Sequence, residues 1–272
     1  MKTRITISIL LCIRSLIYFS QTDTLHVNYL LDPPFTIDQK GALSGIEIEI
    51  INEYTTWLKT KKNMEVVVNF NQFTDRQAFY NQTKVSSKNT IGIGGMVKNL
   101  TKAKEIDFTT GYLKNVAFCI TNGNAPDIRT KTSNDVIRTL GSMTALTIVN
   151  SHLAQCVADI KKLYIKDLKI VEVADQTKIL DDIAKNVLNF GYVEAVEFWF
   201  YLKNNPQKFL KMQKPLNQDK EQLACIIPKG GKHKALFDEF FDGPGGFKTQ
   251  KNYRTILEKY VGSYMTQNMA VY

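Results

Sequence analysis

The sequence predicts an α/β fold in two units of similar size, each a mostly parallel sheet flanked by helices. Three observations carry the prediction. Segments of period-two hydrophobicity alternate with segments of helical period along most of the chain. The 272 residues suit one large domain or two of ordinary size. A polar stretch at 211–222 that contains Pro215 reads as a connector between larger pieces.

Taken in order, Leu25, Val27 and Tyr29 alternate ahead of Asp32-Pro33-Pro34, which predicts a strand over 24–30 ending in a loop. Ile46, Ile50, Tyr54, Trp57 and Leu58 recur at helical spacing and predict a helix from 46 to about 60. Val66, Val68 and Phe70 predict a second strand, 73–81 a helix and 90–94 a third strand, so the first unit reads βαβαβ. Next come a strand over 116–121, a turn at 122–126, a helix over 134–140 and a strand at 146–149. Ser151 stands where its hydroxyl can satisfy a free amide of the helix marked by Leu153, Val157, Ile160 and Leu163. A strand at 169–173, a helix over 177–188, a strand near 191–193 and an aromatic helix through 198–202 complete the second unit. Beyond the connector, the pattern predicts a strand at 223–227 and a helix marked by Phe237, Phe240 and Phe241 and ended by glycines. Tyr253, Ile256, Leu257 and Tyr260 mark a last helix.

Composition narrows the classes. Hydrophobic residues make up 44% and charged residues 22%, close to the soluble globular average, so a folded core is expected. No uncharged apolar run of about 18 residues follows residue 30, which excludes a multi-span helical membrane protein. Residues 1–21 read as an export signal, with Lys2 and Arg4 as the charged start and 5–13 as the apolar stretch. Its removal would take Cys12 away and leave about +6 of the formal +9 charge. With no extended Lys/Arg block and no nucleic-acid motif, that excess reads as a solvated basic surface, and no nucleic-acid partner is expected.

Cys119, Cys156 and Cys225 each lie in an apolar stretch, which suits buried free thiols; their odd number allows at most one disulfide among them. There is no CxxC pair, and His26, His152 and His233 stand far apart, so neither a metal nor a cofactor is expected. Gly92-Ile93-Gly94-Gly95 lacks the spacing of a nucleotide or phosphate loop and reads as a strand end where backbone approaches something closely.

Several stretches together carry a family resemblance. They are Asp32-Pro33-Pro34-Phe35, the segment 41–49 (Gly-Ala-Leu-Ser-Gly-Ile-Glu-Ile-Glu), Gly94-Gly95-Met96, and 102–112 (Lys-Ala-Lys-Glu-Ile-Asp-Phe-Thr-Thr-Gly-Tyr). In order and spacing they resemble the extracellular solute-binding proteins of the amino-acid-binding type, family 3. The tail, from 223–229 through Gly246-Phe247 to 253–262, resembles the closing strand and last helices of that family. The resemblance implies the type II periplasmic-binding-protein-like clamshell. Lobe 1 would comprise 22–113 and 223–272, lobe 2 would comprise 114–222, and a small ligand would sit between them. It implies an exported, monomeric protein that performs no chemistry and presents an amino acid or related organic acid to a membrane transporter permease.

Carried over position by position, the resemblance implies a ligand site with departures. The arginine that clamps a ligand carboxylate falls on Lys102, which keeps the charge without the planar two-pronged donor. The hydroxyl residue after Gly-Met falls on Val97, while Gly95 still offers its backbone. The helix-start Ser/Thr of the second lobe falls on Ser151. The acidic residue that holds a ligand ammonium falls on Glu194, or on Tyr192 if the register is shifted by two. Phe73 and Asp32 fall on positions near the cleft where aromatic residues pack on ligand, so Asp32 is a further departure. The same resemblance extends to exported dehydratases, with Glu194 as a general acid, and to sensors for a membrane receptor kinase; these are the alternatives.

Overall fold

Leu25 and Val27 are completely buried, as period-two alternation requires of a central strand, and they lie in β1 (Asp23–Leu30) of a computed structural model that describes residues 23–99, 101–149, 151–263 and 266. The export signal expected at 1–21 lies outside the described residues. β1 pairs in parallel with β4 (Val66–Phe73) on one side and β5 (Thr90–Ile93) on the other. Between β1 and β4 the chain makes a small hairpin, β2 (Ile37–Gln39) and β3 (Ala42–Ser44), and then α1 (Ile46–Lys62). The Ile/Glu alternation at 46–50 is therefore helical: Ile46, Ile50, Tyr54 and Leu58 form one wholly buried stripe.

The helix expected at 73–81 is α2 (Arg76–Val85), because Asp75 accepts from the Ala78 amide at 2.6 Å and fixes the start there. Phe73 consequently ends β4. β6 (Ile106–Phe108) and β13 (Ile226–Pro228) complete a sheet of order β4-β1-β5-β13-β6, in which β13 runs antiparallel to both neighbours.

The second sheet is built around β7 (Leu113–Asn122) and β10 (Asn189–Glu194), which pair antiparallel. β8 (Thr144–Thr147) and β9 (Lys169–Glu172) add in parallel beyond β10. Helices α3 (Ser133–Leu140), α4 (His152–Leu163), α5 (Gln176–Lys185) and α6 (Ala195–Asn204) connect these strands. The stretch read as a polar connector folds instead as β11 (Leu210–Met212) and β12 (Gln218–Leu223), both antiparallel to β7. Main-chain pairing at a sheet edge needs no apolar alternation, so the pattern could not show it. α7 (His233–Asp242) and α8 (Lys251–Val261) follow, both packed on α1, with α8 also against α6.

The chain thus passes between the sheets at 109–112 and again at 224–225. The two crossings lie side by side, with the Thr109 amide on the Cys225 carbonyl at 3.0 Å and the Tyr112 amide on the Leu223 carbonyl at 2.9 Å. Cys119, Cys156 and Cys225 are buried, and none of them forms a disulfide among the described residues. No described helix is long and apolar enough to cross a membrane.

Candidate functional site

The C-terminal ends of β1 and β5 on one side, and of β8 and β10 on the other, converge on a cavity of about 360 Å³ between the two sheets. Its first wall begins with backbone geometry. After β5 the chain turns at Gly94 (φ 144°) and Gly95 (φ 60°), conformations open to glycine. A Cβ on Gly95 would lie 2.5 Å from the Phe35 ring, so the close approach read from the glycines is to Phe35. One buried carboxyl holds the turn. Glu47, in the first turn of α1, accepts from the Gly94 amide at 2.5 Å, the Gly95 amide at 3.0 Å and the Tyr112 hydroxyl at 2.8 Å. Burial pushes its pKa up to about 7, against the pull of those three donors.

Behind the turn, the Ala224 amide bonds to the Met96 carbonyl at 2.9 Å and the Lys98 amide to the Gln222 carbonyl at 2.8 Å. The wall is thereby tied to a crossing between the sheets. Val97, the departure noted at the hydroxyl position of the resemblance, lines the cavity. Lys102 opens a short 3-10 turn, Lys102–Lys104, started by the Asn99 side chain, which accepts from the Thr101 and Lys102 amides at 2.8 and 3.2 Å. The Lys102 ammonium lies 4.8 Å from the centre of the Tyr80 ring. Partial burial and the nearby Arg76 charge lower its pKa. Arg76, at the start of α2, pairs with Asp32 at 2.6 Å.

The second wall rests on helix starts. Ser151 Oγ accepts from the Ala154 amide at 3.1 Å and donates to the Ile148 carbonyl at 2.6 Å, which caps α4 as the sequence suggested. Glu194 ends β10, with 7% of its surface exposed, and its backbone amide donates to Gln176 Oε1 at 2.6 Å. Its carboxyl lies 3.5 Å from both Asn115 Nδ2 and His152 Nε2. Burial first, and the facing Asp32 charge second, push Glu194 up to about 7.

Asp32, Gly95, Lys102, Ser151 and Glu194 all line this cavity. Phe73 and Tyr192 lie outside it. Phe73 packs edge-on against Phe79 at 5.9 Å, because its helix begins three residues later than expected. Tyr192 stands two residues back from the strand end, 1% exposed, with its hydroxyl on the Leu216 carbonyl at 3.0 Å. Arg76 and Gln176 were missed by sequence reasoning. Each occupies the first position of a helix behind an Asp cap, a signal available at Asp75-Arg76 and Asp175-Gln176. Among the described residues no group of three or more His, Cys, Asp or Glu side chains is arranged to hold a metal ion.

A family model described as bacterial extracellular solute-binding proteins, family 3, matches residues 25–263. No curated protein sequence matches the chain. Among solved structures, the GluR0 ligand-binding core from Nostoc punctiforme is similar at a TM-score of 0.65 and 15% identity, over 88% of this chain and 99% of that one. The arginine-, lysine-, histidine-binding protein ArtJ from Geobacillus stearothermophilus gives 0.61 and 17%, over 89% and 96%. Substrate-binding domain 2 of GlnP from Lactococcus lactis, in an open conformation, gives 0.66 and 15%, over 89% and 97%. At such identities the likeness is one of fold, the two-lobe α/β architecture.

Proposed function

The chain belongs to the bacterial extracellular solute-binding proteins, family 3, and from that membership we propose that it captures an amino acid or related small organic acid between two lobes for delivery to a membrane transporter. The observation that carries this reading is the arrangement of charge across one ligand-sized cavity, with Lys102 and Arg76 on the first wall and Glu194 on the second. An α-amino acid has opposite charges on neighbouring groups, and such a pair can meet both walls at once. The similar structures are named for ligands of that kind: the GluR0 core was solved with L-glutamate, and ArtJ binds arginine, lysine and histidine.

In this reading Lys102 and the amides at the start of α4, beside Ser151, hold the carboxylate, and the Gly95 backbone adds a hydrogen-bonding edge. Glu194 holds the ammonium, and Asp32 sets the field between them through Arg76. Lobe 1 is 22–113 with 223–272, and lobe 2 is 114–222; closure about the paired crossings would exclude water and strengthen each polar contact. The protein acts as an exported monomer, partnered by a transporter permease, and binds its ligand unchanged.

Thermal unfolding against a panel of amino acids and small organic acids tests the reading. A ligand bound only by the folded state adds about 2.7 kcal/mol at a hundredfold excess over Kd, which is a clear rise in Tm. No rise with any amino acid or organic acid overturns it, and conversion of the ligand during incubation would replace binding by catalysis.

A further inference from the structure

A second cavity, of about 530 Å³, adjoins the first and shares Asp32, Arg76, Ile148 and Gln176 with it. Its far side is one face of α6. Glu194, Glu197, Tyr201 and Asn204 recur at three- and four-residue steps, which places them along a single stripe. Glu194 borders the first cavity, and Glu197, Tyr201 and Asn204 line the second, so the stripe runs from one into the other.

Glu197 is the unusual member. It is 8% exposed, yet it accepts no hydrogen bond and makes no ion pair among the described residues. The other carboxylates around this space are engaged: Asp32 pairs with Arg76 at 2.6 Å, and Asp175 accepts from the Lys178 amide at 2.7 Å to cap α5. A buried carboxyl without a partner is costly to keep, and this one faces an open volume beside the rings of Phe200 and Tyr201. Carboxylate and aromatic faces together make a site for a cation.

We propose that the second cavity is a subsite for a cationic group, and that the ligand is a basic amino acid whose distal ammonium or guanidinium pairs with Glu197 while its α-groups occupy the first cavity. The proposal rests on the amino-acid reading above. One helical turn separates Glu194 from Glu197, about 5–6 Å between Cβ atoms, a span that an extended diamino or guanidino side chain covers. An acidic side chain would meet Glu197 and Asp32 and be excluded.

The test is titration calorimetry of the full chain with L-arginine, L-citrulline, L-glutamine and L-glutamate. Citrulline keeps the length of arginine and lacks only its charge. The wild-type protein is expected to bind arginine at least about tenfold more tightly than citrulline, the range of a charge-assisted hydrogen bond. Glu197→Gln should remove that preference while citrulline affinity stays within about twofold, which also shows that the variant is folded. Should Glu197→Gln fail to fold, Ala174→Lys, at the exposed rim of the same cavity, is expected to reduce arginine binding and spare citrulline. Equal affinity of the wild-type protein for arginine and citrulline, or an unchanged ratio in the variants, overturns the cationic subsite and leaves the amino-acid reading standing. Binding of none of the four overturns the cationic subsite, and the thermal panel of amino acids and organic acids then decides the wider reading.

Discussion

The two walls of the cleft face the same ligand-sized space and are built by different means. On the first-sheet side the surface is mostly main chain, bent through Gly94 and Gly95 and pinned from behind by the Glu47 carboxyl. On the second-sheet side it is side chain: Glu194, Glu197, His152 and Gln176 project from helix starts and a strand end, and both carboxyls are buried without an ion pair to a lysine or arginine among the described residues. The first wall is therefore a piece of the folding core that happens to border the cleft. The second wall is a set of groups whose own environment is unfavourable until something enters. Stability should respond to changes in the Gly94–Gly95 turn and the Glu47 carboxyl beneath it, and affinity to changes in the side chains that reach the cavity, Lys102 on the first wall and the carboxyls of the second.

The sharpest way to break that comparison is Glu47→Ala. It strands three buried donors, the Gly94 and Gly95 amides and the Tyr112 hydroxyl, and opens a hole beneath the turn. A loss of about 4 kcal/mol is expected in urea denaturation. A loss below about 1 kcal/mol would mean that the turn holds itself, and the two walls would not differ as described.

The same carboxyl gives the first wall a pH signature. Its pKa rises from an ordinary 4.5 to about 7 on folding, so the folded state binds the proton more tightly than the unfolded one. The stabilising contribution of the proton is complete below pH 4.5, falls as pH rises, and is gone above about 7; the total is about 3 kcal/mol. Glu47→Gln, which keeps an acceptor and a donor in place, should flatten the wild-type decline by that amount between pH 4 and 8. Parallel stability curves for the two proteins would assign the slope to other groups, Glu194 first among them.

Much of the fold could be read because the first sheet follows simple rules. The buried stripe Ile46, Ile50, Tyr54 and Leu58 is a helical pattern whichever sheet it covers, and β1 alternates because one face meets that stripe. The misreadings share a cause: each turned on main-chain bonds rather than on hydrophobicity. The Asp75 cap moves α2 three residues along and leaves Phe73 on a strand, while Gln218–Leu223 pairs with β7 although its sequence is almost wholly polar. At the site, Lys102 and Glu194 were reached through the family resemblance, and Ser151 through it and its place as a helix cap. The Asp32–Arg76 pair spans 44 positions and has no local signature. Glu197 sits inside Ala-Val-Glu-Phe-Trp-Phe-Tyr-Leu, where the aromatic run reads as core and conceals the carboxyl facing the other way.

Within the site the two walls should divide the ligand between them. Lys102→Ala is expected to weaken any ligand with an α-carboxylate about thirtyfold, with stability little changed, because among the described residues the ammonium pairs with no carboxylate and lies over the Tyr80 ring. Glu194→Gln is expected to cost an amine-bearing ligand about tenfold and its deaminated analogue much less. Calorimetry with an amino acid and the matching carboxylic acid decides both. Equal losses for the two ligands in Glu194→Gln would remove the ammonium role, and an unchanged affinity in Lys102→Ala would take the clamp away from Lys102.

The smallest effect concerns Ser151, which belongs to the second wall yet behaves like the first. Both hydrogen-bonding directions of its hydroxyl are already used, one on the Ala154 amide and one on the Ile148 carbonyl, so no proton is left to donate to a carboxylate. Its contribution to binding should come from the helix it starts. Ser151→Ala is expected to cost about 1 kcal/mol of stability and Ser151→Gly only a few tenths, since glycine is tolerated at a cap. Affinity should follow neither substitution by more than about twofold. If alanine and glycine instead weaken the ligand equally and strongly, the hydroxyl turns from its cap to the ligand on closure, and the second wall then owes its binding to rearrangement as well as to its carboxyls.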